Sequence, residues 1–426
     1  MQFENTIAFA KQLDEEDPLK KFRGKFYTPF LHGKDAIYFT GNSLGLQPKT
    51  VQEHVLDELE DWASYAVEGH FYARNPWVSY HEVFPHLLAP IVGATEKEIV
   101  VMNQLTVNLH LLMASFYHPT PQRYKIICES KAFPSDQYAF DSQAQLHGFN
   151  PKDAVIEVSP AEEESAIGTQ RILDAIAKHG NETALVLFSG VNYYSGEVFD
   201  MEAITKAAHA AGAYCGFDLA HAAGNVRLSL HDWDVDFACW CSYKYLNSGP
   251  GGVSGVFIHE KHATDKNFPR LAGWWGQDKE TRFTMNRTFN PIPTAEGWQL
   301  SNAPVLSMAA HKASLQVFEE AGFELILEKA AMLSSYLLFI IDEINTSQKE
   351  KIIHIITPRE MNRHGCQVSM LMLKRGKEIF EKLKTESVIA DWREPNVIRI
   401  APVPLYNSYT EIFRFGEIIS KLLADE

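Results

Sequence analysis

Basic charge and cysteine are both scarce in this chain. Its 39 Lys and Arg face 54 acidic residues, a formal net charge of −15 over 426 residues. Without a basic stripe, the counterion release that drives nucleic-acid binding has no source. The five cysteines, Cys128, Cys215, Cys239, Cys241 and Cys366, make no CxxC pair, and most sit in apolar runs. Small buried hydrophobes account for them better than metal ligands or disulfides, and so sparse and odd a set fits a reducing compartment. No stretch reaches the roughly 20 apolar residues that span a bilayer. The opening MQFENTIAFAKQLDEEDP is acidic and has no long apolar segment, so it reads as neither signal nor transit peptide. Repeats and low-complexity segments are missing too. The expectation is a cytoplasmic protein with no metal, nucleic-acid or membrane partner. At 46% hydrophobic and 22% charged residues the chain can bury a large core, and its length suggests two domains.

From residue 99 onward the pattern alternates. Strands are predicted at 99–102, 124–128, 154–158, 184–188, 213–217 and 236–241, with helices at 106–117, 135–147, 169–179 and 200–211 between them. Such alternation predicts an α/β fold: a mostly parallel sheet between layers of helices. The run 253–258 follows its predecessor too closely for a helix and is expected antiparallel to it. Upstream, a polar helix breaks near Asp17-Pro18, and a strand over 37–48 ends in a glycine turn. A helix over 49–68 carries Val51, Val55, Leu59 and Trp62 on one face, and another covers 81–93. Downstream, 267–300 is irregular. Helix 304–320 has Pro304 in its first turn and Gly322 beyond its end, followed by helix 324–341. Strands near 352–356, 366–373 and 397–400 and a helix at 375–385 make a smaller α/β domain. The expected division is 1–48 as an arm belonging to the small domain, 49–310 as the large domain and 311–426 as the small one.

Lys244 is the first candidate for chemistry. It follows the apolar run Phe237–Cys241 and precedes Asn247, Gly249, Gly251 and Gly252. An amine shielded from water at a strand end is a good nucleophile toward a carbonyl, and neighbouring glycines let the backbone approach a bulky ligand. Alone, it would read as a surface lysine. Asp218, 26 residues earlier, closes another apolar strand, with His221 three residues on. In open parallel sheets, chemistry gathers at the carboxyl ends of adjacent strands. An amine and a carboxylate delivered there suit pyridoxal phosphate: the lysine forms the Schiff base, and the carboxylate keeps the pyridine nitrogen protonated. The bland role for Asp218 is a helix cap. Leu105 and Thr106 begin the helix after strand 99–102, where free N–H groups could hold a phosphate, unless Thr106 is a plain N-cap. Phe133, before Pro134, Ser135 and Asp136, is an aromatic face for a planar cofactor or a core residue. Ser189 ends the strand in LVLFSG.

Taken together, YFTGNSLGLQP, EKEIVVMNQLTVNLHLLMASF, AFPSDQYA, FDLAHAAGN, CWCSYKYLNSGPG, LAGWWGQ, FTM, QLSNAP and IRIAPVPLYNS resemble the kynureninases, within the fold-type I (aminotransferase class V-like) pyridoxal-phosphate enzymes. The resemblance implies that Lys244 carries the cofactor, Asp218 pairs with its nitrogen, His221 lies beside the ring and Phe133 stacks on it. It also implies that Leu105, Thr106 and Tyr243 bind phosphate, with Trp274 and Asn302 completing the site from a second subunit. Pro134, Ser135, Asp136 and Ser189 line the cofactor pocket. Arg399 clamps the substrate carboxylate, a task its guanidinium fork suits. Ser43, His70, Ser301 and Asn302 meet the rest of the substrate. The implied protein is a homodimer with shared sites. It hydrolyses L-kynurenine or 3-hydroxy-L-kynurenine, the latter favoured, to anthranilate or 3-hydroxyanthranilate and L-alanine, in tryptophan catabolism or pyridine nucleotide biosynthesis. Lys244, Asp218 and Tyr243 would be catalytic, with Tyr243 either a proton relay or a phosphate ligand. Two other readings compete. A cysteine desulfurase-like enzyme would need Cys366 as a reactive thiol, and a non-catalytic scaffold would have no use for Lys244, Asp218 and Arg399 together.

Overall fold

Seven strands of the middle segment close into one sheet. They are β1 (Ile99–Val101), β2 (Lys125–Glu129), β3 (Val155–Val158), β4 (Thr183–Ser189), β5 (Tyr214–Asp218), β6 (Phe237–Trp240) and β7 (Gly255–Ile258), in the order β1-β7-β6-β5-β4-β2-β3. This is a computed structural model, describing residues 2–162 and 164–424, so the outermost residues of the first and last segments lie outside it. Only β7 runs antiparallel to its neighbours, as the short connection from β6 predicts. The central strands are buried, apart from Ser189 at the end of β4, and read as near-continuous apolar runs, as a sheet covered on both faces requires.

Helices cover both faces. Those that matter for the site are α1 (Ile7–Glu16), α2 (Val51–Tyr65), α3 (Phe84–Val92), α4 (Leu105–Phe116), α5 (Pro134–Leu146), α6 (Thr169–His179) and α7 (Met201–Ala210). After the sheet come α8 (Val305–Ala321), α9 (Phe323–Ser347), α10 (Gly376–Thr385) and α11 (Tyr409–Ala424). A second, four-stranded antiparallel sheet is built from β8 (Ile353–Ile355), β9 (Val368–Met372), β10 (Asp391–Arg393) and β11 (Val397–Ile400), in the order β8-β9-β11-β10. Its core gathers residues 333–423 together with Ala10, Leu13, Ile37 and Phe39 from the start of the chain. Ile37–Tyr38 pairs in parallel with Val388–Ile389, which ties that arm to the carboxyl-terminal segment.

Several expectations need correction. The predicted strand over 37–48 is extended only at Ile37–Tyr38; from Thr40 the chain turns, because Gly45 must pack against the Lys244 loop. Pro304 precedes α8 as its cap residue rather than sitting in its first turn, and α9 runs to Ser347. The helix α11 follows the last predicted strand and is an addition to the expected elements. The most instructive difference is α2. Only the first half of its expected apolar face turns inward: Val51 and Val55 are half-buried, Val55 against the main core, whereas Leu59 is 39% and Trp62 60% exposed, and Glu58 and Asp61 are buried in their place. Donors from the following loop explain the exchange. Glu58 accepts from Trp77 Nε1 and Asn75 Nδ2, each at 3.0 Å, and Asp61 accepts the Arg74 backbone N–H at 2.7 Å.

Candidate active site

The carboxyl ends of β4, β5 and β6 open into a cavity of about 360 Å³, within the range of small-molecule sites. Ser43, Leu105, Thr106, Phe133, Ser135, Asp136, Ser189, Asp218, His221, Tyr243 and Lys244 all line it. Parallel pairing sets Ser189 directly beside Asp218 and carries Asp218 alongside Cys239, so that Lys244 emerges just beyond. The Lys244 loop is held by the turn after Thr40. Gly45 N–H donates to the Tyr243 carbonyl at 2.8 Å, and a Cβ on Gly45 would collide with the Asn247 side chain and the Lys244 carbonyl. Asn247 and Gly249 adopt positive φ angles of 53° and 93°, which shape the loop behind the lysine.

Electrostatically the cavity has an acidic floor. Asp218 accepts the Ala220 N–H at 2.8 Å and faces Asp136 on α5. Burial, then the charges of Asp218 and Glu129, push the Asp136 carboxyl well above the carboxylate range, so Asp136 holds a proton against Asp218. Burial raises Asp218 as well, opposed by its hydrogen bond from Ala220 and the charge of Lys244. Burial and the Lys244, Arg399 and Arg393 charges keep His221 neutral, and its Nδ1 has no hydrogen-bond partner among the described residues. Burial also raises the Tyr243 hydroxyl.

These residues fit pyridoxal phosphate. The Asp218 carboxylate, paired with the protonated Asp136 carboxyl, is an acceptor that a protonated pyridine nitrogen would complement. Phe133 is 45% exposed, one ring face open, with Lys244 Nζ 5.9 Å from its centroid. At the other end, α4 presents Leu105, Thr106 and Val107 to the cavity, and no side chain caps its first turn, which leaves N–H donors for a phosphate.

Other expected residues lie elsewhere in this chain. Pro134 starts α5 and is exposed, between two lining residues. Trp274 borders a separate cavity with Gln277, Arg282 and Phe289, its Nε1 donating to the Arg282 carbonyl at 3.0 Å. Ser301 and Asn302 are exposed, and His70 stacks edge-on against Trp77 with centroids 5.4 Å apart. Arg399 is 1% exposed and sits behind the wall: Nη1 donates to the Tyr193 carbonyl at 2.6 Å and Nη2 pairs with Asp391. Sequence reading did not place Asn42, Gln104, Val107, Val191, Ala220 or Arg393 in this site, or assign a role to Tyr193, all of which line it. Position after a strand could have flagged Val191 and Ala220; nothing local marks Arg393, which arrives from the second sheet. Cys366 is buried, its N–H donating to Asn225 Oδ1 at 2.8 Å and its thiol pushed up to about 12 by burial, which does not suit a reactive loop cysteine.

The fold is shared with cysteine desulfurase from Thermococcus onnurineus NA1 in its apo form (TM-score 0.74, 18% identity, 97% of each chain). It is also shared with the cystine C-S lyase C-DES in complex with cysteine persulfide (TM-score 0.76, 17% identity, 92% of this chain and 99% of that one). At such identities the likeness concerns architecture. Residues 326–419 match the kynureninase C-terminal domain model. Among curated relatives named kynureninase, the protein of Flavobacterium psychrophilum is 55% identical over 99% of both chains. That of Myxococcus xanthus is 50% identical over 97% of this chain and 96% of its own. The Homo sapiens protein is 46% identical over 97% of this chain and 92% of its own. On that identity across nearly its whole length, the chain belongs to the kynureninase family, hydrolases that cleave a carbon–carbon bond.

Proposed function

We propose that this protein hydrolyses L-kynurenine and 3-hydroxy-L-kynurenine, with the hydroxylated substrate favoured, to the corresponding anthranilate and L-alanine, using pyridoxal 5'-phosphate. The observation that carries the proposal is the convergence of Lys244, Asp218, Asp136 and Phe133 on one cavity with the uncapped start of α4. The same reading assigns the reaction to tryptophan catabolism or pyridine nucleotide biosynthesis.

When bound, the cofactor supplies an electron sink for the pair left on the substrate carbon. Lys244 Nζ holds the cofactor and then, freed, removes and returns the substrate Cα proton. Asp218 keeps a proton at the pyridine nitrogen, and Asp136 fixes the Asp218 carboxylate. Phe133, Ser135, Ser189 and neutral His221 would hold the ring, Phe133 by offering it an aromatic surface. Leu105 and Thr106 N–H groups hold the phosphate together with Tyr243, whose hydroxyl is also placed to pass a proton toward Lys244. Arg399 receives the substrate carboxylate, which requires its Asp391 pairing to yield.

The same reading makes the protein a cytoplasmic homodimer, with Trp274 and Asn302 of a second copy completing each phosphate site. It also takes the large domain to end near residue 310 and the small domain to include the first 48 residues. The exposed face of α2 with Val67, Phe71 and Tyr72 supports the dimer, since apolar side chains so grouped favour burial. Preference for the ring hydroxyl would come from His70, Ser301 and Asn302, because a site built to satisfy polar groups rejects the analogue that lacks the partner. Alanine and aromatic amine release from both substrates tests the proposal. No release from either would refute the activity, and equal or reversed kcat/KM values would refute the preference alone.

A further inference from the structure

Glu129 ends β2 at 2% exposure, beside β4 and one strand beyond it from Asp218 on β5. None of the roles above uses it. Its carboxylate is committed to a single residue: its oxygens accept the Ser189 backbone N–H at 3.1 and 3.2 Å, and Oε1 accepts the Ser189 hydroxyl in a short hydrogen bond. The charge acting on Glu129 is a like one, that of Asp218. Ser189 itself lines the cofactor cavity, whereas Glu129 stands behind it.

A serine hydroxyl has one hydrogen and two lone pairs. With the hydrogen held by Glu129, Ser189 can offer the cavity only lone pairs. We propose that Glu129 is a positioning residue for the cofactor: it holds the Ser189 hydrogen so that Ser189 Oγ acts as an acceptor toward the cavity. This rests on the reading of that cavity as the pyridoxal-phosphate site. A carboxylate that merely caps a strand end would need only the backbone N–H, and a glutamine carbonyl accepts that bond equally well. In Glu129→Gln, with the amide carbonyl at the Oε2 position accepting the Ser189 N–H, the amide nitrogen would donate to Ser189 Oγ and turn the serine hydrogen into the cavity. The substitution therefore keeps the cap and reverses the hydroxyl.

The test titrates apoprotein with pyridoxal phosphate in four forms: wild type, Glu129→Gln, Ser189→Ala and the double variant. Burial, opposed by the Ser189 hydrogen bonds, raises Glu129 to about 7, so measurement roughly one pH unit above that keeps it ionised. Glu129→Gln is expected to weaken cofactor binding roughly tenfold and to shift the visible absorbance band of the bound cofactor. Ser189→Ala is expected to weaken binding too, and in that background Glu129→Gln should add less than about twofold. An effect of Glu129→Gln that is as large without the serine hydroxyl would overturn the proposal, as would an unchanged affinity and band. Thermal unfolding of the apoprotein reports whether the cap survives. Should Glu129→Gln not fold, Ser189→Ala decides alone, and unchanged binding in it refutes the role. Wild-type protein that binds no pyridoxal phosphate would instead refute the reading of the cavity, and the two failures are distinct.

Discussion

Asp136 and Asp218 face each other in the cavity floor, and their environments divide the work. Asp136 carries the proton and donates; Asp218 is the carboxylate that can hold a pyridinium. Asp136→Asn keeps a donor in place and is expected to lower kcat/KM by less than about tenfold. Asp218→Asn removes the charge and should cost on the order of a thousandfold, with cofactor binding retained in part. Steady-state kinetics on both variants separates the roles, and similar losses would contradict the division. Lys244→Ala is expected to lose the borohydride-sensitive visible band; a persistent band would assign the cofactor to another lysine. A second residue-scale effect lies far from the site. His311 on α8 is fully buried, stacked on Phe84 at 5.4 Å, with no partner for either ring nitrogen among the described residues. Burial lowers it from 6.5 to about 3, so the unfolded chain binds its proton first. Its contribution to stability is complete above pH 6.5 and lost as pH falls toward 3, at up to about 1.4 kcal/mol per pH unit. His311→Leu should flatten that part of the stability profile, measured by urea midpoints at several pH values.

At the scale of elements, α2 shows how a periodicity can be right while the assignment of its inner face holds only for the first two turns. The 3.6-residue repeat is present, but the buried side is chosen by what α8 and the 74–77 loop offer. Indole, amide and backbone N–H donors there select Glu58 and Asp61. Removing one partner of a buried charged hydrogen bond leaves the others unmet, so Glu58→Ala is expected to destabilise the protein by about 2–4 kcal/mol. Chemical denaturation measures it. Leu56, Leu59 and Trp62 are left outward, and the proposed homodimer would bury them. Leu59→Asp with Trp62→Ser should shift sedimentation from dimer to monomer while leaving circular dichroism unchanged.

At the scale of the whole molecule, one chain assembles the cavity around Lys244 without three of the residues expected in the site. Trp274, Ser301 and Asn302 lie away from Lys244, on surface that a second copy could present. Mixing Lys244→Ala protein with Asn302→Ala protein under subunit exchange should recover up to about a quarter of wild-type activity, because a mixed dimer holds one intact site. No recovery would argue for sites contained in single chains. The second sheet also matters to this geometry. It carries Arg393 to the cavity wall and Arg399 behind it, and Asp391 serves both as counter-ion.

The sequence by itself determined the parallel sheet, its one reversed strand, and the placing of Asp218, Ser189 and Lys244 at strand ends. These follow from local signals: apolar runs of strand length, connection lengths, and glycines beyond the last strand residue. Recognition of Phe133, Thr106 and Asp136 as neighbours of that group needed the motifs, because no local rule says which helix start faces which strand. Only the tertiary structure decided the orientation of α2, the capture of Arg399 by Asp391 and Tyr193, the arrival of Arg393, and the grip of Glu129 on Ser189. Each of these depends on a donor, acceptor or charge from another segment, from the next loop in the case of α2 to the first sheet's Tyr193 in the case of Arg399. The free energy of a buried polar group is set by the partner that reaches it, and that partner is fixed only when the layers pack.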